Sequence, residues 1–402
     1  MTHALDRPLN QIRQVRPSRR IAPFAESVWL AIDALSGRHP DAIYFGNGAP
    51  APELIPVERL REASAAAWGE GAGALGYGET DGYGPLRELI ARRMDALGAP
   101  ADPAEILVVN GSQEGMDIVA RALLEPGDIV LVEGPTFPEA VRLFASYEAE
   151  VAGMPMDGEG IVVEALPALL DALTRPPTFI YAIPTFQNPT GVTMPAARRQ
   201  ALADLARDRG ILLVEDDPYS AFRYDGEAPP PLRAYAPESV YLGTFSKTLA
   251  PGLRVGWISA PRPLYDHLFA VKECLNISND RVMMRTVHHA AEGFLDAHIA
   301  EGREAYRSRR DALLAAMDEY LPPRATWTRP EGGFFVWIDL EDGADTDALL
   351  EHAAAAGVIY LPGSWFFPGR SRRNGLRLSF SALPEAKLVE GARRLGRALA
   401  LE

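Results

Sequence analysis

The chain has 402 residues, more than the roughly 250–300 at which one hydrophobic core stops growing, so two unequal lobes are expected. With 47% hydrophobic and 23% charged residues the composition is that of a globular protein, and a formal charge of -14 argues against nucleic acid and anionic membrane as partners. The single cysteine, Cys274, allows no intramolecular disulfide, the arginine-rich start (Arg7, Arg13, Arg16, Arg19, Arg20) has no apolar signal core, and no apolar run is long enough to span a bilayer; these point to the cytoplasm.

The expected organisation is an N-terminal segment over 1–56 that packs on a smaller domain, a large domain over 57–290 and a small C-terminal domain over 291–402. From about residue 105, short β-branched runs alternate with longer amphipathic stretches, the pattern of an α/β fold with a mostly parallel sheet wrapped by helices. The candidate strands are 106–110, 129–132, 179–183, 211–214, 239–242 and 255–258, and their continuous apolar character fits burial on both faces. Helices are expected over 114–124 and 195–209. Beyond 290 come a long charged amphipathic helix, alternating strands over 330–340 and 376–380, and a closing helix from about Pro384, the pattern of an α+β unit.

Five of the apolar strands end in short loops dense in Gly, Pro and reactive side chains. These are Gly111-Ser112-Gln113, Gly134-Pro135-Thr136-Phe137, Gln187-Asn188-Pro189-Thr190-Gly191, Asp216-Asp217-Pro218-Tyr219 and Thr244-Phe245-Ser246-Lys247. Ligands of open α/β sheets bind at the carboxyl ends of the strands, so the loops should converge on one pocket. Lys247, between a buried strand and a loop, would have a neutral, nucleophilic amine there; a lysine in a solvated loop is the alternative. Histidines are few and lack metal-ligand spacing, so no metal site is expected.

Ser246-Lys247 followed by Pro251-Gly-Leu-Arg-Val-Gly256 resembles the cofactor-lysine signature of the class I and II aminotransferases of fold type I. The resemblance runs along most of the chain through Tyr77, Asn188-Pro-Thr-Gly191, Asp216 with Tyr219, Pro330-x-Gly-Gly333 and Arg377. It implies a seven-stranded, mostly parallel sheet, pyridoxal 5′-phosphate held by Lys247 as a Schiff base, and Asp216 facing the pyridine nitrogen so that the ring acts as an electron sink. By the same resemblance Tyr219 and Asn188 bond the ring oxygen, while Phe137 stacks on the ring. Ser112, Gln113, Thr244, Ser246 and Arg254 cup the phosphate, the first two at a helix N-terminus. Arg377 grips the substrate α-carboxylate, and Gly48 lets backbone approach the substrate. Tyr77 implies a homodimer in which each tyrosine reaches the neighbouring subunit's phosphate. Several of these residues also have ordinary structural readings: helix capping for Ser112, core packing for Phe137, turn chemistry for Asn188.

The flavour is that of 2-aminoadipate and kynurenine aminotransferases, from Glu215-Asp-Asp-Pro-Tyr219 and the Ser112-Gln113 pair. Members of that group often carry an N-terminal arginine that holds the substrate's distal end. Counting back from Gly48 without gaps, Trp29 stands at its place. An apolar, aromatic or unusual side chain then replaces aminoadipate as the expected substrate, with Trp29 as a wall of the pocket or, if the count has a gap, a core residue. The expected reaction is transfer of an amino group from an α-amino acid to a 2-oxo acid; a lyase, decarboxylase or oxidase on a specialised substrate uses the same apparatus. An aminotransferase-like ligand-sensing regulator would need a DNA-binding domain ahead of the catalytic-like region, and only about 40 residues precede Gly46.

Overall fold

The computed structural model describes residues 17–21, 24 and 28–400. Most of the arginine-rich start, and residues 25–27 just ahead of Val28-Trp29, lie outside the described residues. Among those described, the main sheet has seven strands: β1 Ile106–Val109, β2 Ile129–Glu133, β3 Glu150–Met154, β4 Phe179–Ala182, β5 Leu212–Asp217, β6 Val240–Thr244 and β7 Gly256–Ser259. Their spatial order is β1-β7-β6-β5-β4-β2-β3, parallel except for β7, which runs antiparallel to both its neighbours. The core strands β1, β2, β4, β6 and β7 are buried along their whole length, which is why they read as unbroken apolar runs.

The strand missing from the sequence reading is β3. It lies on the sheet edge, is mostly half-exposed or exposed, and carries Gly153, so it has neither the apolar run nor the clean alternation that marks a strand. The helices Ser112–Leu123 and Ala196–Arg209 match the expected stretches, the first starting two residues earlier because Gly111, at φ 79°, turns the chain directly off β1.

A second sheet of β8 Thr326–Trp327, β9 Phe335–Asp339, β10 Leu361–Pro362 and β11 Gly375–Ser379 is antiparallel in the order β8-β9-β11-β10. Leu376 and Leu378 of β11 join the core under the long helix Leu295–Tyr320 and the closing helix Glu385–Ala400. The intervening Arg377 alternates to the other face, opposite Trp337 and Leu361. Helix Val28–Arg38 lays Ile32 and Leu35 against Trp337 and Phe366 of this unit, and Ile43–Tyr44 pairs in parallel with Val358–Ile359. Among the described residues no helix is long and apolar enough to cross a membrane.

Candidate active site

The loops that follow β1, β2, β4, β5 and β6 do converge. Together with residues 46–49, β9 and β11 they enclose a cavity of about 570 Å³. Lys247 enters it from the loop after β6, partly buried, its Nζ donating to the Gly48 carbonyl at 2.9 Å and lying 5.8 Å from the centre of the Tyr219 ring. Burial, then the nearby Arg377, pulls its pKa from 10.5 to about 8 against the opposing pull of Asp216. A neutral amine is thus accessible near physiological pH.

Asp216, next to last in β5, is 3% exposed. Its Oδ2 accepts from the Tyr181 hydroxyl at 2.7 Å, and its Oδ1 is buried without a partner. Burial raises its pKa to about 7, with the Tyr181 hydrogen bond pulling the other way. Behind it sits Glu133, also pushed up to about 7 by burial, accepting from Ile183 N at 3.1 Å and Gln187 Nε2 at 3.0 Å. Gln187 in turn takes the Thr190 amide at 2.9 Å and hydroxyl at 2.7 Å, bracing the loop that presents Asn188. Sequence reasoning missed Tyr181 and Glu133. A tyrosine within an otherwise apolar strand, and an acid at a buried strand end like Asp216, were the signals available.

On the other side, Ser112 and Gln113 open a helix whose first N–H groups have no intrahelical acceptors. Arg254 stands beside them, with Nη2 on the Asn110 carbonyl at 2.9 Å, and a Cβ on Gly111 would lie 2.6 Å from that nitrogen. Thr244 Oγ1 and Ser246 Oγ pair at 2.8 Å at the same end of the cavity. A helix N-terminus, hydroxyls and a guanidinium make a site for a phosphate. An orphaned buried carboxylate oxygen suits a protonated ring nitrogen, and Phe137 lines the same cavity as an aromatic wall. The residues present therefore fit pyridoxal phosphate.

Arg377 is 3% exposed and directs Nη1 to Asn188 Oδ1 at 2.8 Å and Nη2 to the Gly46 carbonyl at 2.7 Å, while its Nε has no partner. Its guanidinium lies 4.2 Å from the Phe335 ring centre. Burial lowers its pKa to about 10, against the phenols of Tyr219 and Tyr44, so it stays charged and lacks a carboxylate partner among the described residues. Gly48 is required by a close approach, because a Cβ there would come within 2.6 Å of the Phe335 ring. Tyr219 is buried, its phenol pushed well above its usual range by desolvation.

Trp29 does line the cavity, and its Nε1 donates to Glu139 Oε1 at 2.6 Å. It is also packed against the cluster holding Ile32, Leu35 and Phe366, so the wall and core alternatives coincide. Tyr44 and Phe335, which the sequence did not single out, complete an aromatic rim. Tyr77 is not brought to this cavity: it is 89% exposed on a loop held by Arg281, which donates to the Gly76 carbonyl at 3.2 Å.

The family model of class I and II aminotransferases matches residues 40–395. Aromatic-amino-acid aminotransferase 1 of Thermococcus litoralis is 41% identical over 88% of this chain and 87% of its own length. A 2-aminoadipate transaminase of Thermus thermophilus is 36% identical over 90% of this chain and 91% of its own. The crystal structure of Pyrococcus horikoshii kynurenine aminotransferase, in complex with PMP and kynurenine, superposes with a TM-score of 0.91 at 36% identity, covering 98% of each chain. The chain therefore belongs to the class I and II aminotransferases: it is an amino-acid aminotransferase of fold type I whose cofactor is pyridoxal phosphate.

Proposed function

We propose that this aminotransferase takes α-amino acids with an apolar or aromatic side chain and passes the amino group to a 2-oxo acid. The observation that carries this is one cavity lined by Lys247, Asp216 and Arg377 whose lining also includes the aromatic side chains of Trp29, Tyr44 and Phe335. An indole lies there and no cation stands at position 29 to meet a distal carboxylate; the similarity to an aromatic-amino-acid aminotransferase supports the same substrate class.

Pyridoxal phosphate, when bound, supplies the electron sink that makes the substrate's Cα–H acidic. Arg377 then receives the α-carboxylate as a bidentate pair in place of its present contacts to Asn188 and Gly46. Lys247 Nζ would take the proton from Cα and deliver it to the cofactor's C4′ atom, as its lowered basicity allows. Asp216 would hold the ring nitrogen protonated, Tyr219 and Asn188 would bond the ring oxygen, and Phe137 would cover the ring. Ser112, Gln113, Thr244, Ser246 and Arg254 would hold the phosphate, and Tyr77 would be contributed by a second copy of the chain. Exposure of Tyr77 and its apolar neighbours Trp68 and Leu75 supports the homodimer. The antiparallel unit beyond residue 290, joined by the strand at Ile43–Tyr44, supports the division into 1–56, 57–290 and 291–402. One cysteine in 402 residues supports a cytoplasmic setting.

To test this, the purified enzyme is incubated with phenylalanine, tyrosine, kynurenine or 2-aminoadipate and either 2-oxoglutarate or pyruvate, with both products followed. Aromatic substrates are expected to turn over with one acceptor consumed per oxo acid formed. Oxo acid without acceptor consumption would favour the lyase or oxidase reaction, and a preference for 2-aminoadipate would overturn the substrate class.

A further inference from the structure

Tyr181 sits in the middle of the sheet, fully buried on β4, where an apolar residue would pack without any polar cost. Its hydroxyl reaches Asp216 Oδ2 on the neighbouring strand at 2.7 Å. The ring is clamped from the side by Phe144, whose centroid lies 5.5 Å away at 70°. The partner carboxylate has two oxygens with different fates: Oδ2 is held inside the sheet, and Oδ1 has no partner although Asp216 lines the cavity. We infer that Tyr181 is a positioning residue, which fixes the rotation of the Asp216 carboxylate so that Oδ1 is the oxygen offered to the cofactor's ring nitrogen. The inference rests on the assignment of Asp216 to that nitrogen.

The charge balance agrees with the geometry. Asp217 and Glu133 put further acids near Asp216, and burial of Asp216 and Glu133 works against their ionisation. Donation from Tyr181 is the largest influence favouring the carboxylate, ahead of Lys247. A phenol that is itself buried and pushed far above its usual pKa, first by desolvation and then by Asp216, keeps its proton and remains a donor. Without it, Asp216 would have two unpaired oxygens, a freely rotating carboxylate and less tendency to hold a negative charge opposite the ring nitrogen.

The experiment compares two cofactors, pyridoxal phosphate and its analogue with the ring nitrogen replaced by C–H, binding to native, Tyr181→Phe and Asp216→Ala proteins, with dissociation constants read from fluorescence. The native protein is expected to bind pyridoxal phosphate more tightly than the analogue. Tyr181→Phe should weaken pyridoxal phosphate about tenfold or more and the analogue less than about twofold, since only the nitrogen-bearing ring uses the positioned oxygen. Equal losses with both cofactors mark Tyr181 as merely structural, and no loss with either marks it as idle; both overturn the inference. If Asp216→Ala loses the discrimination while Tyr181→Phe keeps it, the Asp216 assignment stands and the role of Tyr181 falls. If the native protein does not discriminate, the assignment and the inference fall together. Should Tyr181→Phe not fold, 3,5-difluorotyrosine incorporated at position 181 keeps the ring and hydroxyl while altering donation. A changed ratio of the two affinities then supports the inference, and an unchanged ratio overturns it.

Discussion

Lys247 and Arg377 illustrate how burial decides what a cation does. The lysine can lose its proton, so the cavity converts it into a nucleophile with a pKa near 8; the guanidinium cannot, so it stays charged at about 10 and awaits an anion. The sign for the lysine follows directly. If its neutral form captures the cofactor, the rate at which apoprotein takes up pyridoxal phosphate should rise with pH through about 8 and level off above it, whereas an ordinary lysine would rise through 10.5. Arg377→Ala removes a neighbouring positive charge and should move that profile to higher pH; stopped-flow absorbance measures both, and a profile that stays put would separate the two residues. Lys247→Ala should lower the rate of the amino-acid half-reaction roughly a thousandfold, the loss of a proton-transfer group. Arg377→Lys keeps the charge but not the bidentate fork, and kcat/KM for the amino acid should fall roughly 30- to 150-fold, about 2–3 kcal/mol. Both residues were legible in the sequence because each is costly where it stands: a lysine after a buried strand, an arginine inside an apolar one. Tyr181 was not, since its reason for being there is Asp216, 35 positions away and on another strand.

At the scale of elements, strand legibility followed burial. Strands covered on both faces announced themselves as apolar runs, whereas the edge strand β3, half-open to solvent, did not. Helix Val28–Arg38 was legible only through the count back from Gly48, which put Trp29 at the pocket without saying what holds it there. Its apolar side rests on Trp337 and Phe366, and Trp29 reaches over to Glu139 at 2.6 Å on helix Pro138–Ser146, the helix that begins right after Phe137. The Trp29 indole is thus anchored from both sides of the cavity, by this cluster and by Glu139. Restoring a cation by Trp29→Arg would place a guanidinium beside that carboxylate, and the two would pair with each other before either met a substrate. We therefore expect Trp29→Arg alone to leave kcat/KM for 2-aminoadipate nearly unchanged, and Trp29→Arg with Glu139→Gln to raise it by about tenfold. Steady-state kinetics with 2-aminoadipate and phenylalanine decides this. A gain from the single variant as large as from the double would mean that Glu139 does not compete for the new cation.

At the scale of the whole molecule, the loop carrying Tyr77 is held on the chain's own helix Arg281–Ala291 by Arg281, yet its aromatic ring points to solvent beside Trp68 at 59% and Leu75 at 57% exposure. An ordered loop presenting a bare phenol next to bare apolar side chains is poorly explained within one chain and well explained by a second copy. If each Tyr77 serves the neighbouring copy's phosphate, the two defects Tyr77→Ala and Lys247→Ala belong to different sites when they sit on different chains. A dimer with one variant of each kind then has one site lacking both groups and one site intact. Tyr77→Ala should by itself weaken cofactor retention about tenfold, the loss of one hydrogen bond to a charged group. With both variants assayed at cofactor concentrations that leave Tyr77→Ala largely apo, co-expression in equal amounts makes half of the dimers hybrid, and about a quarter of the native activity should return. Activity no greater than the mean of the two parents would place Tyr77 outside the neighbour's site. Gel filtration at micromolar concentration checks the dimer independently, so a failed complementation in a dimeric protein would indict the tyrosine and not the assembly.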